Sequence, residues 1–185
     1  MRVRTLSRFR AGLYGWLFTI WLMGLGFPAL AAAPQAPRSE PEPFPLLKEE
    51  RLGTLRIGLG EKEVQAQIPG KLHKGKEEFW AATGDYVQEW KYPDCGLSLN
   101  MASAKRGGAK TVMSITIQAP SPLKTKRGMG IGSTLEEVAA AYGPDQDKEI
   151  YQKGEIFVAG SIYGGLIFTF RNGRVTRIFL GAGAE

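Results

Sequence analysis

Cysteine and histidine are almost missing from this chain. One cysteine in 185 residues leaves no intramolecular disulfide and no cysteine-rich zinc site. One histidine leaves no pair of imidazoles for a metal. No acidic residue precedes Glu40. After the first 31 residues there is no second long apolar run, so nothing further along reads as a membrane-spanning helix. No convincing carboxylate pair, metal cluster or nucleophile–base–acid set can be assembled from the sequence. It therefore assigns no catalytic, cofactor-binding or metal-binding residue, and the expectation is a protein that is not an enzyme. What is present suffices for a core: 43% of residues are hydrophobic, which excludes global disorder.

The surplus of positive charge comes mainly from the N-terminus. The chain carries 24 Lys and Arg against 18 Asp and Glu. Arg2, Arg4, Arg8 and Arg10 precede an uncharged apolar stretch from Ala11 to Phe27, then Pro28 and Ala29-Leu30-Ala31. A basic start, an apolar middle and small residues at the end form the pattern of an export signal, with cleavage expected after Ala31. An uncleaved signal that anchors the protein to the inner membrane is the alternative. No cysteine directly follows the leader, and the lone Cys95 lies far downstream, so a lipid anchor of the lipobox kind is not expected. Without residues 1–31, 20 cations face 18 carboxylates, which is poor footing for nucleic-acid binding. The expected location is periplasmic or secreted.

Five prolines between residues 32 and 52 predict an extended tether, with the globular part starting near Gly53. Within that part, Ile57-Gly58-Leu59-Gly60-Glu61-Lys62-Glu63-Val64 aligns without gaps on Ile131-Gly132-Ser133-Thr134-Leu135-Glu136-Glu137-Val138, 74 residues later. Each copy predicts a short helix. Thr134 with Glu137 forms a capping box, and Gly60 with Glu63 takes the same places. Alternating strands follow: Tyr86–Tyr92, Leu97–Met101, and Thr111–Ile117 with Met113, Ile115 and Ile117 on one face. In the second copy Leu166, Phe168 and Phe170 alternate, Asn172-Gly173 predicts a type I′ turn, and Val175–Leu180 returns. The expected fold class is α+β: two tandem repeats, each a short helix or helix pair packed on a three- to four-stranded antiparallel sheet. Their bounds are 53–117 and 129–185, joined by a linker at 118–128.

Ile131, Gly132, Thr134 and Val138, then Gly143-Pro144, then Phe168, Phe170, Gly173 and Val175 together resemble the unit of the SmpA/OmlA (BamE-like) family of the bacterial envelope. The resemblance extends over 53–181 and is stronger in the second copy. A tandem pair of such units is similar in architecture to the beta-lactamase inhibitor protein. This resemblance implies a helix-on-sheet scaffold, with the helix start and the hairpin as the parts that its motif specifies.

Two groups of residues are candidates for contact. Phe79, Trp80, Tyr86, Trp90 and Tyr92 put five aromatics into fourteen residues, a surface for a protein partner if the rings face outward. Lys105, Arg106 and Lys110 form one basic loop, and Lys124, Lys126 and Arg127 another, at opposite ends of a strand of about 23 Å. His73, set among lysines, reads as a solvated loop residue. Cys95 reads as a small strand-end residue. Gly128, Gly130 and Gly132 have the wrong spacing for a phosphate loop. The expected function is that of an exported envelope protein that binds another protein through its sheet and loops, as an assembly factor or inhibitor. The alternative is a binder of anionic envelope lipid or polysaccharide through the basic loops.

Overall fold

A computed structural model describes residues 44–150 and 154–183. The leader, 1–31, and most of the expected tether lie outside the described residues. The class is α+β: one antiparallel sheet of seven strands with few helices. In chain order the elements are α1 (Pro45–Glu49), α2 (Glu61–Gln67), β1 (His73–Trp80), β2 (Asp85–Tyr92), β3 (Leu97–Ser103), β4 (Thr111–Gln118), α3 (Leu135–Tyr142), β5 (Ile156–Ser161), β6 (Gly164–Arg171) and β7 (Arg174–Gly181). The strands lie in the order β1-β2-β3-β4-β7-β6-β5.

Residues opposite one another in antiparallel strands share a face of the sheet. Two rows therefore define the covered face. One runs Trp90, Leu99, Ile115, Leu180, Leu166, Ala159. The next runs Tyr92, Leu97, Ile117, Ile178, Phe168, Phe157. Every residue of both rows is buried, in one core with Leu46 of α1, Val64 of α2, and Val138 and Tyr142 of α3. The opposite, open face carries Lys91, Ser98, Thr116, Phe179 and Ile167 in its matching row.

Local chemistry places the two longer helices. The Thr134 hydroxyl accepts from Glu137 N (3.2 Å) while Thr134 N donates to the Glu137 carboxylate (2.8 Å). Gly60 N donates to Glu63 in the same way (3.0 Å), but glycine supplies no oxygen in return. The segment entering each helix is pinned to a strand. Gly58 N donates to Val112 O (2.8 Å) and Val112 N to Leu59 O (2.9 Å). Gly132 N donates to Val175 O (2.8 Å) and Val175 N to Ser133 O (2.9 Å). Asn172 and Gly173 both have positive φ, 52° and 71°, as the predicted turn between β6 and β7 requires.

Three expectations are corrected. The packed part begins before Gly53, because Pro45 starts a helix and Leu46, Glu50 and Leu52 are buried. Proline at the first helical position costs no hydrogen bond, so the proline count did not exclude a short helix there. Met113 does not share a face with Ile115 and Ile117. The register between β3 and β4 shifts after Asn100, pairing Met101 with Val112 and Leu99 with Ile115. One extra residue in β4 therefore turns Val112 inward instead. His73 opens the edge strand β1 rather than lying in a loop, although it is exposed as expected.

Candidate functional site: the β1–β2 hairpin and its neighbours

Alternation along β1 and β2 divides the aromatic residues between several environments. Trp90 and Tyr92 point into the core, 0% and 2% exposed, and offer nothing to a partner. This corrects the idea that they form a surface: their cross-strand partners Leu99 and Leu97 lie on the helix-covered face. Trp90 Nε1 donates to Gln88 (2.9 Å), and the Lys74 ammonium lies 4.0 Å from the centre of its ring. The Tyr92 hydroxyl has no hydrogen-bond partner among the described residues, and burial raises its pKa.

Phe79 is 56% exposed and pairs across the hairpin with Tyr86, the ring centres 5.2 Å apart. The Arg106 guanidinium lies 5.3 Å from the Tyr86 ring, on the other side of the β2–β3 pairing. Phe79, Tyr86 and Arg106 thus form one patch at the hairpin tip, next to the exposed Lys105. Sequence spacing gave no sign that the first basic loop meets the aromatics, because residues 86 and 106 are joined only through the β2–β3 register.

Lys110 and Arg127 are committed to interactions inside the fold. Lys110 is buried and pairs with Glu77 (2.8 Å), which also accepts from Gly107 N (2.9 Å). The hydrogen bond from Lys110, then that from Gly107, holds the Glu77 carboxyl below the usual carboxylate range. Arg127 donates to Asp145 (2.6 Å) and to Ala141 O (2.8 Å), and stacks on Tyr142 at 4.5 Å. Its Nε lies 3.7 Å from Glu50. Glu50 is buried and accepts from the Tyr142 hydroxyl (3.0 Å) and Lys126 N (3.1 Å). Burial, together with that carboxylate, pushes the Tyr142 pKa up. This cluster joins the segment after α1 to the 118–128 connection and to α3, so its role is structural. Lys124 and Lys126 remain exposed at the other end of β4 from Lys105 and Arg106, as the strand length predicts.

No family model, curated protein or solved structure matches the chain.

On the open face of the same hairpin lies a hollow of about 350 Å³. Lys76, Glu78, Trp80, Val87, Glu89 and Asn100 line it. Glu78 pairs with Val87 and Glu89 with Asn100, which fixes them on one face. Trp80 follows Glu78 by two positions and shares that face. Cys95 is half-buried and donates to Pro69 O (3.2 Å). Among the described residues, no group of His, Cys, Asp and Glu could hold a metal ion, and no helix is long and apolar enough to cross a membrane.

Proposed function

We propose that this chain is an exported, non-catalytic protein of the cell envelope that holds another protein through the tip of the β1–β2 hairpin and the β3–β4 loop. We further propose that it arose by duplication of one SmpA/OmlA-like helix-and-sheet module. The hydrogen bonds support duplication. The 74-residue offset maps Gly58 onto Gly132 and Leu59 onto Ser133, and each pair makes the same two bonds, to Val112 and to Val175. The register shift between β3 and β4 also recurs between β6 and β7, where Phe168 pairs with Ile178 and Phe170 with Val175. Export is supported by the basic, apolar and small-residue order of positions 1–31.

The observation that carries the binding reading is the Phe79–Tyr86–Arg106 patch. An aromatic ring more than half exposed, packed on a second ring that itself carries a guanidinium, is a preorganised anchor of the type that dominates protein interfaces. The bracing lowers the ordering cost of binding. Use of both basic loops on an anionic partner is less well supported, since Lys110 and Arg127 are neutralised by Glu77 and Asp145.

The test is affinity capture from envelope extract with three baits: the wild type, Phe79→Ala/Arg106→Ala, and Lys124→Ala/Lys126→Ala. Loss of the captured proteins with the first variant alone is expected. Identical capture by all three baits would refute the patch, and loss with the lysine variant alone would favour the anionic partner. N-terminal sequencing of the exported protein is expected to begin at Ala32.

A further inference from the structure

We propose that the open-face hollow of β1, β2 and β3 binds a neutral oligosaccharide, with Trp80 as the plate beneath a sugar ring. The hollow lies on the opposite face of the hairpin from Phe79, so the proposal does not depend on the protein-binding reading. At about 350 Å³ it falls in the lower part of the range for small-ligand sites. Its shape comes from the backbone. β1 carries an extra residue between Lys74 and Glu77, and Gly75 lies so close to β2 that a Cβ there would stand 3.3 Å from Glu89 O.

The side chains select the ligand class. Trp80 and Val87 supply apolar surface, which suits the C–H face of a pyranose. Asn100 both donates and accepts, the Glu78 and Glu89 carboxylates accept, and the Lys76 ammonium donates. Sugar hydroxyls, which also donate and accept, can satisfy all of them. Charge narrows the choice further. Lys76 and Glu78 both line the hollow, and Glu89 is already paired with Lys91 at 2.9 Å. An anion would lie beside carboxylates and a cation beside ammonium groups, so neither is favoured. A wholly apolar ligand would strip water from these charges and return no hydrogen bond. A neutral polyhydroxy ligand meets neither penalty.

The test is isothermal titration of the full-length protein with chitotetraose, cellotetraose and maltotetraose, with inorganic phosphate and spermine as charged comparators. At least one neutral tetrasaccharide is expected to bind. Trp80→Ala should weaken it about tenfold, the worth of one aromatic contact, and Trp80→Tyr much less. Phe79→Ala should leave it unchanged. Asn100→Ala, a smaller change in a half-buried strand position, should weaken it as well and serves if Trp80→Ala does not fold. Failure of all three tetrasaccharides to bind, tighter binding of phosphate or spermine, or undiminished binding to every folded Trp80 and Asn100 variant would overturn the proposal.

Discussion

The two ends of the sheet are finished differently. At one end β5 is held along its outer side: Gln146 bridges to Ala159, and Asp147 N donates to Val158 O at 2.9 Å. At the other end β1 is the edge strand, and His73 to Lys76 are exposed. Lys74, Lys76, Glu77 and Glu78, with the extra residue of the bulge, guard that edge against pairing with another chain. Between these ends the buried rows are continuous and apolar but for the Tyr92 hydroxyl. Both candidate surfaces, the Phe79 patch and the Trp80 hollow, depend on β1. The comparison teaches that the core and the candidate surfaces are separable in this molecule: strands β2 to β7 build the one, and the edge strand β1 builds the others.

The largest expected effect sets core against edge. Trp90→Ala should destabilise by about 4 kcal/mol, because a fully buried ring leaves a cavity. Phe79→Ala, eleven residues earlier, should cost less than about 1 kcal/mol. Urea unfolding of both variants measures the gap, and equal losses would break the separation. Next comes Glu50→Ala, expected to cost about 3 kcal/mol by leaving Arg127 and the Tyr142 hydroxyl without their buried carboxylate. A loss below about 1 kcal/mol would show that the cluster does not hold α1 to α3.

The helix starts offer a smaller contrast. Thr134→Ala should cost about 1 kcal/mol, and Gly60→Ser should stabilise by about 0.3 kcal/mol, since a hydroxyl would then accept what glycine cannot. Gly60 has φ −77°, so the side chain introduces no backbone strain. Last is a pH effect at the β1 end. The Glu77 pKa is depressed in the folded state, so the unfolded chain binds the extra proton first and the stabilisation is present above the ordinary carboxylate range. It is lost as pH falls through the folded pKa. The stability difference between wild type and Glu77→Gln should therefore be constant near neutrality and close in acid, as followed by thermal unfolding across pH.

Elements specified by neighbouring residues were legible in the sequence. Thr134 with Glu137 marks the start of α3, Asn172-Gly173 marks the last hairpin, and the alternation of Leu97, Leu99 and Met101 marks β3. What escaped depends on distant partners. The charged residues of β1 conceal a strand, because an edge needs no apolar alternation. The aromatics alternate plainly, but which side lies inward is set by where the helices pack, and Trp90 and Tyr92 proved to be core. The burial of Glu50 rests on Tyr142, 92 positions away, and on Arg127, so no local pattern shows it. At the candidate site Phe79, Trp80 and Tyr86 could be named from the sequence, but their sorting onto opposite faces required the strand register.

β7 follows every other described strand in chain order yet lies in the middle of the sheet, between β4 and β6. A chain that emerges from its N-terminal end therefore completes β1 to β4 while the flank of β4 is still bare. That flank offers unsatisfied amides to any neighbouring strand until β7 arrives. Vectorial synthesis thus gives the molecule an interval of adhesiveness, and a chain cut short before Arg174 would stay in it permanently.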